Sequence, residues 1–217
     1  VPEMKIIQVC PQYFPDIGGV ETHVQEISER LVRIGHEVTV VCTDPRGIHP
    51  ERECINGVQV RRFPCFAPHD AYYFSPQMLR YLKKIDGEIL HAHGYHAFPA
   101  LFSMRGAKGK RFIVTPHYHG KGHTFLRDLL LRCYYPCGRA LFNRADRIVC
   151  VSEYEKRLIR DRFDIRQEKF VVIPNGLNLS EFAITAVSGG RDPGRLLYVG
   201  RIEKYKGIQQ IIGALPD

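Results

Sequence analysis

The sequence predicts an α/β protein: a doubly wound parallel sheet with helices on both faces, followed by the first βα unit of a second, similar domain. Three observations carry this. Between Lys5 and Ile173, short apolar runs alternate with stretches whose apolar residues repeat at helical spacing. The segments joining the runs are long enough for the crossover helices that parallel neighbours require. A polar, Gly-rich stretch at 185–194 then interrupts the rhythm before one more apolar run and one more helical pattern.

Lys5-Ile-Ile-Gln-Val-Cys10 reads as the first strand, and Pro11, Pro15 and Gly18-Gly19 as the loop after it. Val20, Val24, Ile27, Leu31 and Ile34 then line one helical face, with Gly35 placed as the C-terminal cap. Strands follow at Glu37–Thr43 and, after the Asn56-Gly57 turn, at Val58–Phe63. Residues 64–76 read as a surface loop. Ser75 is the expected N-cap of a short helix to Lys84, with Pro76 in its first turn. Glu88–His91 is a strand, 95–105 a helix and Arg111–Thr115 a strand. A longer helix is expected over 124–143, kinked or split at Pro136. Asp146–Val151 is a strand, Ser152 caps the next helix, and Lys169–Ile173 closes the set. The resulting domains are 4–184, a linker at 185–194, and the opening of a second domain at 195–217.

Composition narrows the function. With 217 residues, 44% of them hydrophobic, the chain can bury a full core. No apolar run approaches the roughly 18 residues of a membrane span, and no leader is legible. Seven scattered cysteines do not resemble a disulfide framework, so a reducing cytoplasm is expected. A net charge of +8 favours anionic partners. The aromatic residues are not interleaved with Lys and Arg as in a stacking platform, which argues against nucleic acid. Gly-x-Gly-x-x-Gly is missing, which argues against a dinucleotide-dependent oxidoreductase.

In a parallel sheet, ligands gather beyond the carboxyl ends of the strands. There the sequence places Gly18-Gly19, whose missing side chains admit a phosphate or sugar to the backbone. Six of the ten histidines fall in two neighbouring strand-end segments, His91-Ala-His93-Gly-Tyr-His96 and Thr115-Pro-His117-Tyr-His119-Gly-Lys-Gly-His123. Two His-x-His pairs with Cys133 and Cys137 could hold zinc. That Cys pair lies on an apolar helix face, however, and no carboxylate is spaced to complete the set. Hydrogen bonding to sugar hydroxyls is the favoured reading and no metal is expected. Arg201, Lys204 and Lys206 sit where a last helix begins, as a diphosphate site requires, or simply as solvated loop cations. Lys121, Arg127, Arg132, Arg139, Arg144 and Arg147 beside the apolar stripe of the long helix offer a surface for anionic lipid, the stripe itself being read as core.

Gly18-Gly19-Val20-Glu21, His91-Ala-His93, Thr115-Pro-His117, Cys150-Val-Ser152-Glu, Ile173-Pro-Asn175-Gly176 and Gly200-Arg201 through Lys206-Gly207 together resemble, in order and spacing, the family 4 glycosyltransferases. The likeness runs from Met4 to the last residue and is nearest in character to the phosphatidylinositol-type mannosyl- and N-acetylglucosaminyltransferases. It implies a GT-B fold of two Rossmann-like domains and a retaining hexosyl transfer from a nucleoside-diphosphate sugar to a sugar or lipid-linked acceptor. It implies His117 at the reacting centre, with Gly18, Gly19, His91, His93, Thr115, His119 and Asn175 around the substrates. Arg201 and Lys206 would hold the diphosphate. No cofactor, metal or nucleic acid is implied. The location implied is cytoplasmic, peripheral at the inner face of the membrane. The family's later Glu-x7-Glu motif has no counterpart after Lys206, so these 217 residues are expected to be an incomplete, inactive fragment. The alternative is a nucleotide- or sugar-nucleotide-binding module without catalysis.

Overall fold

The computed structural model describes residues 2–118, 120, 125–177, 194–200, 202 and 206–215, without the side chains of His69 and of 125–133. The chain divides into two compact units, Val1–Asn175 and Gly176–Asp217.

The first unit is built on one eight-stranded sheet. Its strands are β1 (Lys5–Val9), β2 (Glu37–Asp44), β3 (Arg52–Ile55), β4 (Val58–Pro64), β5 (Ile89–His93), β6 (Arg111–Thr115), β7 (Arg147–Cys150) and β8 (Phe170–Val172). They lie in the order β3-β4-β2-β1-β5-β6-β7-β8. Every pairing is parallel except β3 with β4. That exception was not expected. Arg-Glu-Cys-Ile is too polar to read as a strand, yet it folds back on β4 through Asn56 and Gly57, both at positive φ as a two-residue hairpin turn requires.

The helices are α1 (Gly19–Arg33), α2 (Pro76–Leu82), α3 (Phe98–Gly106), α4 (Phe125–Arg144) and α5 (Glu153–Phe163). Alternation along β1 shows why both faces are covered. Ile6 and Cys10 pack with Val24 of α1, Val40 and Val60 on one face. Ile7 and Val9 pack with Met78, Leu82, Phe142 and Phe163 on the other. Ser75 caps α2, its hydroxyl accepting from the Met78 amide at 3.3 Å, and Ser152 caps α5 by accepting from Glu155 at 3.1 Å. α4 runs as one helix through Pro136, so the split into two pieces allowed for above does not occur. Proline removes one helical hydrogen bond, and burial of Gly138, Leu141 and Phe142 against the core offsets the loss.

Strand order reverses between β1 and β5: from β1 the chain builds outward to β2, from β5 it builds the other way to β6. The loops leaving β1 and β5 therefore diverge and leave a crevice beyond their carboxyl ends. Arg62, 2% exposed, fixes one wall of it. It pairs with Glu53 and donates to the carbonyls of Phe14 (2.6 Å) and Pro50 (3.2 Å), tying the loop before Gly18-Gly19 to the sheet edge.

In the second unit, α6 (Ile208–Gly213) follows Gly207, which has φ +74°. The strand expected at 195–199 is not formed: Leu196, Leu197 and Val199 are exposed and pair with no strand. An apolar run becomes a strand only against a partner, and none lies beside it among the described residues. Most of the expected linker lies outside the described residues.

Gly106 of α3 shows how closely the helices approach: a Cβ there would lie 2.6 Å from the Leu82 carbonyl oxygen. At Gly19 a Cβ would meet nothing within 4 Å. Gly106→Ala is therefore expected to lower unfolding free energy by about 1–3 kcal/mol. Gly19→Ala should leave it equal or slightly raised. Urea denaturation followed by circular dichroism checks both.

Candidate functional site

Four polar side chains share the α1 side of the sheet at the centre of its carboxyl edge. By strand alternation, Gln8 lies between Ile6 and Cys10 on β1, and His91 and His93 face the same way from β5, opposite to Leu90 and Ala92. Thr115 ends β6 as the register partner of His93. His91 and His93 are thus part of the strand itself, which runs two residues beyond its expected end. His93 is 0% exposed and its Nε2 lies 2.8 Å from Gln8 Oε1. His91 Nε2 lies 2.8 Å from Thr115 Oγ1, and the two histidine rings are 4.1 Å apart.

His117 follows β6 with φ +48°, a left-handed conformation that a histidine holds only when its neighbours fix it. They do so through Glu155 of α5, 2% exposed, whose carboxylate accepts from the Tyr118 amide at 2.6 Å and from the Val151 amide at 2.7 Å. Arg162 and the Tyr118 hydroxyl both donate to the Gly120 carbonyl at 3.1 Å, fastening the same segment further along. Gly94 and Tyr95 amides donate to the carbonyls of Thr115 and Pro116, so the segments after β5 and β6 are tied together.

Gly18 is the extended residue before α1, and the Glu21 side chain folds back over the place its Cβ would take. One turn into α1, four residues after Gly19, stands His23. Its ring is 5.1 Å from that of His117 and 5.6 Å from that of His93. Asn175 lies near enough to His23 to oppose the effect of burial on its imidazole, bringing the segment after β8 to the same place. The structure thus gathers His91, His93, Thr115, His117 and Asn175 around the start of the helix that Gly18 and Gly19 open. His119 and Arg201 lie outside the described residues. Lys206 belongs to the second unit, one residue before Gly207, and is exposed. The cysteines of the zinc reading are not seen to join: Cys137 is exposed on α4, and the side chain of Cys133 is outside the described residues.

His23, Gln8 and Glu155 are site residues that sequence reasoning missed. His23 had a legible sign, being one helical turn after the glycine pair. Gln8 had another, as the polar interruption of an apolar strand. Glu155 stands three residues after the Ser152 cap, the spacing of a capping box, but what it holds is 37 residues away in the chain.

Burial dominates the electrostatics. It pushes the His91 imidazole down to about 3, with His23 and His117 adding to the shift. It pushes His93 well below the usual range, and lowers His23 against the opposing effect of Asn175. At neutral pH these three rings are uncharged, able to accept one hydrogen bond and donate another. Such a cluster suits neutral hydroxyls.

Residues 17–181 match the family model for Glycosyltransferase Family 4. The chain belongs to that family. Among its relatives are the GPI3 subunit of phosphatidylinositol N-acetylglucosaminyltransferase from Saccharomyces cerevisiae, 24% identical over 97% of this chain and 49% of that protein. Phosphatidyl-myo-inositol mannosyltransferase from Mycolicibacterium smegmatis is 27% identical over 98% of this chain and 55% of its own length. The family 4 chain thus spans about half the length of the curated relatives it matches. Among solved structures, sucrose-phosphate synthase from Thermosynechococcus elongatus aligns over 82% of this chain and 49% of its own, with TM-score 0.60 and 16% identity. That likeness speaks for the GT-B glycosyltransferase fold. No helix among the described residues is long and apolar enough to cross a membrane.

The depressed imidazoles tie stability to pH. Unfolded histidines protonate near 6.5, whereas His91 folded waits until about 3 and His93 stays unprotonated well below 6.5. Between these values the unfolded chain binds more protons, so stability falls as pH falls below 6.5 and is fully present above it. His91 should cost roughly 2 kcal/mol at pH 5 relative to pH 7.5, and His93 should add to the loss in the same direction. Urea denaturation across that range is expected to show the decline; a level profile would contradict it.

Proposed function

We propose that this chain is the acceptor-side half of a retaining glycosyltransferase that moves a hexose from a nucleoside-diphosphate sugar to an acceptor hydroxyl, including lipid-linked acceptors. The observation that carries the reading is the convergence of His117, the neutral pair His91 and His93, and the glycine-opened start of α1 at the strand-order switch of one sheet. In the reaction the bond from the anomeric carbon to the diphosphate oxygen breaks, and one from that carbon to the acceptor oxygen forms. The acceptor's proton leaves with the diphosphate or to solvent. In this reading His117 stands at the reacting carbon. Thr115, His91, His93, His119 and Asn175 position sugar hydroxyls or one another, and the Gly18-Gly19 backbone admits the substrates closely. Arg201 and Lys206 neutralise the leaving diphosphate, which dispenses with a divalent ion for that task.

The lipid acceptor draws support from the two phosphatidylinositol-acting relatives and from the net charge of +8, which also suits a peripheral site on an anionic membrane face. The division into 4–184, linker and 195–217 belongs to the same reading. These 217 residues, half the span of their relatives, are taken to turn over little or no sugar unaided. A binding module without catalysis is the competing reading.

The test is sugar transfer from UDP- and GDP-hexoses to phosphatidylinositol. It is run with the 217-residue chain and with a form extended to the length of the relatives. Transfer is expected only from the longer form, and His117→Ala should lower it by about 10²-fold or more. Robust turnover by the short chain, or an unchanged rate in His117→Ala, would contradict the proposal. Nucleotide binding with no transfer in either form would favour the module.

A further inference from the structure

At the amino ends of β6 and β7, on the edge of the sheet opposite to the histidines, the chain carries two short basic segments. Residues 105–111 and 143–147 hold six cations, Arg105, Lys108, Lys110, Arg111, Arg144 and Arg147, against one carboxylate, Asp146. All six are exposed except the half-buried Lys110. The segments lie side by side. The Asp146 amide donates to the Phe112 carbonyl and Asp146 Oδ2 accepts from the Phe112 amide, each at 2.7 Å, so the one carboxylate is spent inside the fold. Arg144 reaches across to the Ala107 carbonyl at 3.0 Å.

Helices of a doubly wound sheet end at this edge, and cations beside their last carbonyls are the ordinary reason for basic residues there. That reason covers Arg105 in the last turn of α3, and Arg144 and Arg147, which donate to backbone carbonyls. Lys169 does the same at the end of α4, donating to the Ala145 carbonyl at 2.9 Å. It leaves out Lys108, Lys110 and Arg111. Lys108 and Lys110 flank Gly109, which has φ +76° and where a Cβ would meet nothing within 4 Å, so this turn stands in open space. None of the six cations joins an ion pair among the described residues, whereas Lys5, Arg46, Arg61 and Arg62 in the other half of the sheet each meet a carboxylate.

We propose that this edge is a docking surface for an acidic segment of a partner protein, a run of Asp and Glu side chains. Lys108, Lys110 and Arg111 pair with its carboxylates, and the surrounding guanidinium groups strengthen the field that draws it in. Exposed aromatic rings, on which the bases of a single-stranded nucleic acid would stack, are found at Phe14, Phe66, Phe74 and Tyr154, none of them in these segments. A bilayer is disfavoured by position. About 13 Å of strand separates Arg111 from Thr115, so a membrane meeting the amino edge would hold the substrate site on the far side of the sheet from the headgroups. That exclusion of the bilayer rests on the lipid-acceptor reading; the carboxylate-binding surface does not.

The test titrates the 217-residue chain with a polyglutamate peptide, followed by calorimetry and by amide chemical shifts, and no sugar enters it. Saturable binding is expected, with shifts confined to 105–111 and 143–147, and with affinity falling as salt is raised. Lys108→Glu/Arg111→Glu should weaken it about tenfold or more. Arg52→Glu/Arg157→Glu, which changes net charge equally at exposed positions away from this edge, should bind as the wild type does. Equal weakening in both double variants would mean a diffuse charge effect and overturn the proposal, as would shifts centred on the carboxyl edge. Tighter binding of a single-stranded oligonucleotide of the same charge would overturn it in favour of nucleic acid. Adsorption to phosphatidylserine vesicles that exceeds peptide binding and is lost in Lys108→Glu/Arg111→Glu would overturn it in favour of a membrane.

Discussion

Gln8 and His93 place two polar side chains, both inaccessible to water, in the middle of an apolar sheet face. An imidazole buried there must be neutral, and its hydrogen must be spoken for. Gln8 meets both demands with one hydrogen bond across the β1–β5 boundary. Because strand order reverses at that boundary, the pair also stands at the mouth of the crevice left by the diverging loops. Fold and site are therefore coupled at one place. Loss of the amide would leave a buried donor without a partner, at a cost of about 1–3 kcal/mol, and free the ring that anchors the cluster.

The outer part of the site is held differently. His117 sits in a backbone conformation that its own sequence does not favour, and the buried carboxylate of Glu155 keeps it there by accepting two amides from different segments. Arg62 does the equivalent on the other wall, fixing the loop that leads to Gly18. One anion and one cation, each about 2% exposed, thus position loops that carry no regular structure of their own. Loops built this way can be both surface-placed and rigid, as a binding edge requires.

Much of this was legible beforehand because it is periodic. The alternation of Ile6, Ile7 and Val9, the helical repeat from Val20 to Leu31, and the Ser75 and Ser152 caps are local patterns, and the structure realises them. What was not legible depends on distant partners. Arg52–Ile55 becomes a strand only because β4 returns beside it, Pro136 stays inside a helix only because tertiary packing holds both sides, and Leu196–Val199 stays out of a strand for want of a partner. The motif residues of β5 and β6 pointed to the site, whereas the one sign of His23, its place a helical turn after the glycine pair, did not set it apart from ordinary surface positions of the helix. Glu155 was hidden because a capping-box glutamate normally turns back on its own helix.

The account depends most on the protonation of His93 as Gln8 arranges it. Two-bond proton–nitrogen correlation spectra of the 15N-labelled chain read that state directly, giving distinct nitrogen shifts for a protonated and a bare ring nitrogen. The account predicts that from pH 7.5 to pH 5.5 His93 shows a single tautomer with hydrogen on Nε2 and a bare Nδ1. A His93 that averages between tautomers, or gains a second proton near pH 6.5, would contradict it.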